Sequence, residues 1–346
     1  MSESRIRSFA AAAAVMLAMP AVSAKLPEAK KPLNHTVTDE PAAQQTAYYK
    51  VLRTETGTVE QISVRDYLIG AVGAEVPASY EPEALKAQAI AAHTYAERIR
   101  IGNRKNPDAA LKGADFSDDS RSYQAFYSED QLRDFYGSRF AESYEKIAAA
   151  VDAAGDQLLY YADEPIVAAF HAVSAGQTES AEAVWGTNLP YLVSVSSGDD
   201  RNAPQYETVQ GIQPETVRQA LRTLKPETVF PDDPSEWFGE PSCSEAGTVL
   251  QISCGSEQFT GQQIKDSLSL RSACFSVKYD DMQFVFNVCG YGHAVGMSQY
   301  GANEMAKRGC SCEEILMHYY PGTKLVQSGS RFRGDESSDK DAAPDP

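Results

Sequence analysis

Residues 63–100 read SVRDYLIGAVGAEVPASYEPEALKAQAIAAHTYAERIR, and this stretch fixes where the chain turns back on itself. Ser63 with Asp66 three residues on predicts an N-cap, although aspartate is a poorer partner there than glutamate. Tyr67, Leu68 and Val72 then place apolar side chains at helical spacing. Gly70, Gly73 and Ala74 leave that helix bare, so another segment can approach its backbone. Pro77 stops it, because the residue before a proline is driven out of the α region. Pro82 predicts the first position of a second helix, with Leu85, Ala89, Ala92, Ala96 and Ile99 on one face. Gly102 is expected to end it. Glu75 falls at the C-terminal end of the first helix in apolar surroundings. The negative end of the helix dipole and desolvation both raise a carboxyl's pKa there, which is what a general acid requires. The competing reading is a helix-end glutamate that faces water.

Outward from this pair, residues 47–53 and 58–63 predict a strand hairpin turning at residues 55–57. Residues 103–119 predict a loop. Residues 131–152 predict one helix ending near Gly155, residues 157–161 and 165–172 two strands, and residues 214–224 and 260–270 two more helices. Residues 284–288 alternate as a strand and lead into GYGHAVGMSQYGA at 290–302. Glycines this dense before a helix imply a tight loop whose backbone meets a ligand or another segment. Ser311 and Glu314 form a capping box for a last helix. The expected fold is α+β: helices packed on antiparallel strands in one main catalytic domain over residues 47–327, with residues 199–278 an inserted segment. Residues 25–46 form a polar linker, and residues 328–346 a disordered tail.

The chain has 346 residues and a net charge of −17, which argues against nucleic acid and anionic lipid as partners. Arg5 and Arg7, the apolar residues 9–19 and Val22-Ser23-Ala24 read as a secretory signal peptide cleaved after Ala24; an uncleaved membrane anchor is the alternative. Six cysteines, all after residue 240, imply disulfides in an exported chain, with zinc as the rival reading.

Three blocks, AVGAEVP with EALKAQAIAA, FHAVSAGQT with WG and PYL, and GYGHAVGMSQYGA through HYYPG, occur in the order seen in the stage II sporulation protein D (SpoIID/LytB) family. The chain resembles that family from about Tyr48 to Leu325. The resemblance implies an extracytoplasmic lytic transglycosylase of the cell wall, acting in sporulation and engulfment on peptidoglycan glycan strands stripped of stem peptides. It would cut MurNAc–GlcNAc bonds and leave 1,6-anhydro-MurNAc ends. The matching catalytic acid is Glu75. His171, Ser174 and His293 would line the cleft, Trp185 and Tyr300 stack on sugar rings, and Gln177 and Gln299 supply polar contacts. His93 stands where many relatives carry arginine, and would tune Glu75 if the two were adjacent. Some relatives bind zinc after this helix; residues 113–127 contain neither cysteine nor histidine, so no metal and no cofactor are expected. A cell-wall amidase, or another wall hydrolase of sporulation, is the expected protein partner.

Three other readings remain. One is a non-catalytic wall-binding amidase enhancer. The second is a hydrolase that pairs Glu75 with Asp115 or Glu179. The third is a cysteine peptidase built on Cys289 and His293.

Overall fold

The computed structural model describes residues 47–328. The expected signal peptide, the linker at 25–46 and the tail beyond Ser328 lie outside the described residues. The fold is mixed α+β, with antiparallel pairing dominant and two short parallel pairs.

Strands Tyr48–Leu52 and Val59–Ser63 form the expected hairpin, and Phe116–Ser117 adds to the first strand in parallel. Ser63 ends the hairpin and caps helix α1 (Val64–Glu75): its hydroxyl accepts from the Asp66 N–H at 3.0 Å and donates to the Asp66 carboxylate at 2.6 Å. Val76 is extended ahead of Pro77, as the proline demands. Helix α2 (Pro82–Lys105) begins on its proline but runs through Gly102 to Lys105. Open space surrounds Gly102, and Arg104 and Lys105 suit the negative end of the helix dipole, so no break is forced there.

The single helix expected over 131–152 is two, α3 (Glu129–Tyr136) and α4 (Phe140–Ala154), broken at Gly137, whose φ is 54°. Strand Gln157–Tyr161 packs on α2, between Glu164–Pro165 and Lys324–Gln327. The long strand expected over 165–172 survives only as Glu164–Pro165 and Phe170–His171. Between them, the Val167 N–H donates to the Tyr191 hydroxyl and the Ala169 carbonyl accepts from Met297, so side chain and loop replace a ladder. Phe170–His171 pairs in parallel with Met297–Ser298, ahead of helices α8 (Gln299–Lys307) and α9 (Cys312–Tyr319). Short helix α5 (Ala181–Trp185) precedes them in the chain.

A second apolar core, separate from the one beneath α1 and α2, spans Ile212 to Val288 around Trp237, Phe259, Phe284 and Phe286. Its main sheet orders Phe275–Asp280, Gln283–Cys289 and Glu207–Ile212, covered by α6 (Pro214–Leu224) and α7 (Gly261–Leu268). The expected disulfides are absent, and all six cysteines are free thiols. Cys254 belongs to the second core and Cys312 to the first, where each packs as a small hydrophobe. Burial pushes both thiols up to about 12.

Candidate active site

Glu75 is the last residue of α1 and only 8% exposed. The glycines of α1 determine what covers it. A Cβ on Gly70 would overlap the Tyr127 carbonyl and the Phe126 ring, and one on Gly73 would press on Leu132. The loop at 123–127 therefore lies directly on the helix, with the Tyr127 N–H donating to the Gly70 carbonyl at 3.3 Å. Gln124 fastens the same loop to both helices, donating to the Tyr67 hydroxyl at 3.0 Å and the Ala92 carbonyl at 3.2 Å. The loop thereby brings the Ala125 N–H to 2.8 Å from Glu75 Oε1.

Desolvation raises the Glu75 pKa to about 7, with the Ala125 hydrogen bond opposing it. Among the described residues no carboxylate contributes to that shift. Tyr67 and Tyr95 are close enough for the Glu75 charge to raise their own pKa values, after burial as the main cause. The carboxyl therefore carries a proton about half the time at neutral pH and has one strong donor on one oxygen.

Of the polar residues expected around it, Gln299 is the one tied to the helix pair: its Nε2 donates to Gln88 Oε1 at 3.4 Å, and both side chains are buried. Asn303 Oδ1 accepts from the Glu81 N–H at 2.8 Å, which docks α8 against the start of α2. Tyr300 is half-buried and donates to the Asn202 carbonyl.

His93 lies two residues from Tyr95, about 200° around the helix. It is buried beside the Asp156–Gln157 turn, where desolvation lowers its pKa to about 4. His93 is therefore neutral and set away from Glu75. His171 and His293 stand together, ring centroids 5.8 Å apart, with Trp185 5.4 Å beyond His293. His171 Nδ1 donates to the Val295 carbonyl, while the Val295 N–H donates to His293 Nδ1. Desolvation lowers both imidazoles, to about 4 and about 3, so neither carries charge at neutral pH. Gln177 donates to the Ser194 hydroxyl.

Ser174 has a different environment from the one expected. It is fully buried, and both its N–H and its hydroxyl donate to Asp200 Oδ2. Ser298, the cap of α8, donates to Asp200 Oδ1 at 2.9 Å. Asp200 is a node joining the strand end at 170–174, the turn at 198–202 and the glycine-rich block. The glycines serve the same junction: side chains on Gly292 and Gly296 would strike His171 and Ala169. Sequence reasoning overlooked Asp200, Gln88 and Ala125. Gln88 left a trace, as a lone amide inside AQAIAA; a backbone N–H leaves none.

The rival catalytic groups are engaged elsewhere. Asp115 accepts from the Lys50 N–H and pairs with Arg104 at 2.9 Å, and Glu179 accepts from the Ser244 hydroxyl. Burial raises the Cys289 thiol, which opposes the thiolate a peptidase needs.

Residues 52–161 match the family described as Stage II sporulation protein. The chain is 34% identical to Stage II sporulation protein D of Bacillus amyloliquefaciens over 86% of its length and 85% of that protein. It is 35% identical to Stage II sporulation protein D of Bacillus subtilis over 80% of its length and 78% of that protein. The Amidase enhancer of Bacillus subtilis is 26% identical over 75% of this chain, which spans 40% of that protein.

Proposed function

This chain belongs to the stage II sporulation protein D family, and from that premise we propose that it is a cell-wall lytic transglycosylase of sporulation, with Glu75 as its catalytic acid. The observation that carries the reading is a buried carboxyl with a pKa near 7, one N–H donor and, among the described residues, no carboxylate that contributes to its shift. A glycoside hydrolase needs a second carboxylate to activate water or form a covalent intermediate. A transglycosylase does not, because the C6 hydroxyl of the muramyl unit is the nucleophile.

In the first half of the reaction, protonated Glu75 gives its proton to the glycosidic oxygen as the bond to the anomeric carbon breaks. The resulting carboxylate, held by the Ala125 N–H, then takes the proton of the C6 hydroxyl as that oxygen closes on the anomeric carbon. The anhydro ring forms, and Glu75 ends protonated as it began. A pKa near the working pH suits a group that must both give and take a proton. We assign the orientation of the strand to Gln88 and Gln299, hydrogen-bonded to each other between α2 and α8, and to Tyr300, with Trp185 as an apolar face for a sugar ring.

The test is mass spectrometry of peptide-free glycan strands after incubation with wild type and with Glu75→Gln. Anhydro-muramyl ends from wild type alone support the proposal; hydrated reducing ends would establish a hydrolase. The likeness to an amidase enhancer supports a second reading, a wall-binding stimulator. Intact glycan from both proteins, together with faster amidase turnover, would select it. Among the described residues no helix is long and apolar enough to cross a membrane.

A further inference from the structure

The main sheet of the second core ends on two thiols. Strands Phe275–Asp280 and Gln283–Cys289 run antiparallel with Phe275 opposite Val288, so the next rung sets Cys274 against Cys289. The Cys289 N–H donates to the Cys274 carbonyl at 2.9 Å. Ser272 clamps the same rung: its hydroxyl accepts from the Cys274 N–H at 3.1 Å and donates to the Cys289 carbonyl at 2.5 Å. The two thiols are hydrogen-bonded to each other. Opposed residues of an antiparallel pair have Cα atoms about 4.5–5.5 Å apart, a separation that a disulfide spans.

Access and position set this pair apart. Both residues line a cavity of about 300 Å³ where the two cores meet, whereas Cys254 and Cys312 are buried in different cores. Cys243 is exposed and near enough for its charge to act on Cys274, but it stands on another strand, Ser242–Cys243. Burial pushes the Cys274 thiol up to about 12. Burial also raises Cys289, but there hydrogen bonds with Tyr206 and Cys274 oppose the rise. Cys289 is therefore the better nucleophile, with Cys274 behind it as the resolving thiol. Cys289 also ends its strand just before the glycine-rich block. The Gly290 N–H donates to the Tyr206 carbonyl at 2.8 Å, and the Tyr291 backbone exchanges two hydrogen bonds with Val173.

We propose that Cys274 and Cys289 form a reversible thiol–disulfide exchange site whose substrate is an organic disulfide, either a small molecule or the active site of an exchange protein. Cys289 attacks the disulfide RSSR, forming a mixed disulfide and releasing RSH. Cys274 then attacks the Cys289 sulfur, and the second RSH leaves. Two protein thiols are oxidised, one reagent disulfide is reduced to two thiols, and each departing RSH carries away the proton of the attacking thiol. The free thiols of this structure are the reduced form. The oxidised form staples the sheet of the second core at the root of the glycine-rich block. The exchange needs neither Glu75 nor a glycan.

The experiment incubates the reduced full chain with oxidised glutathione and, separately, with oxidised protein disulfide isomerase. The product is denatured, alkylated and mapped by mass spectrometry of tryptic peptides without reduction. Expected is peptide 272–278 joined to peptide 279–307, with the other four cysteines alkylated. Closure should raise the melting temperature by about 5 °C, and dithiothreitol should return it. Cys243→Ser should close at a rate within twofold of wild type, and Cys274→Ser should stop at a mixed disulfide on Cys289. Closure by one reagent alone supports the site and names the source of its disulfide. No joined peptide with either reagent, a Cys243–Cys274 link, or mixed disulfides that persist on wild type would overturn the proposal. The wild-type map needs no variant, so it decides the matter even if Cys274→Ser fails to fold.

Discussion

Two buried carboxyls, Glu75 and Asp200, stand in similarly dry surroundings and are held in opposite ways. Around Asp200, the Ser174 N–H and the Ser174 and Ser298 hydroxyls converge on both oxygens from two separate segments. Around Glu75, one N–H meets one oxygen, and the Tyr67 and Tyr95 rings are near enough to feel its charge. Desolvation raises both pKa values. What differs is the number of donors. A carboxyl surrounded by donors is fixed and joins elements together; one with a single donor keeps an oxygen free to exchange a proton. Burial alone does not single out a catalytic candidate; burial with sparse hydrogen bonding is what supports the proposal for Glu75.

The most direct way to break this contrast is Glu75→Gln. The amide keeps its oxygen for Ala125, so the fold should persist while anhydro-product formation falls by about 10³-fold or more, within the range of acid–base catalysis and its stabilising partners. The same substitution should raise stability at pH 8. Unfolded, a glutamate ionises near 4.3; folded, this one ionises near 7. Its contribution is thus complete below about pH 4.3 and is lost as pH rises to 7, at a cost of order 3 kcal/mol. Urea unfolding of both proteins at pH 5 and pH 8 checks the sign.

Asp200→Ala should do the converse. It strands the Ser174 and Ser298 donors in a dry interior and costs about 3 kcal/mol by urea unfolding. A variant of wild-type stability without activity would reverse the two roles. Gly70→Ala should cost about 1–3 kcal/mol by overpacking against the loop at 123–127. It should also lower the Glu75 pKa toward ordinary values as water enters, seen as an acid shift of the pH–rate profile. In wild type, initial rates should fall about tenfold per pH unit well above pH 7 as the acid ionises. Smallest of all, His93→Gln should leave that profile in place and change the rate less than about twofold, since His93 is neutral and faces the Asp156–Gln157 turn.

The helix pair was legible because proline, serine and alanine act locally: Ser63, Pro77 and Pro82 set three of its four ends. Gly102 misled because a glycine ends a helix only when the chain turns there, and nothing crowds it. The bareness of α1 correctly implied a close approach without naming the segment that makes it. That partner comes from about fifty residues downstream, where sequence alone offered a loop without metal ligands. The resemblance put Ser174 in the cleft, because a sequence conceals Asp200, which only the tertiary fold brings to the Ser174 hydroxyl. An even number of cysteines implied pairs; the two cores separate Cys254 from Cys312, whereas the Cys274 and Cys289 side chains lie within hydrogen-bond reach of each other as free thiols.

On the proposed reading, the docking of the loop at 123–127 on Gly70 and Gly73 also bears on when the protein becomes able to cut a polymer around it. Helix α1 and its glutamate are complete early in the chain, but the strip that dries the carboxyl and supplies the Ala125 N–H is made from residues added much later. Until that strip closes, Glu75 is an ordinary wet acid, ionised at neutral pH and without a proton to give. On the proposed reading, the closing of that strip is what arms Glu75 as an acid.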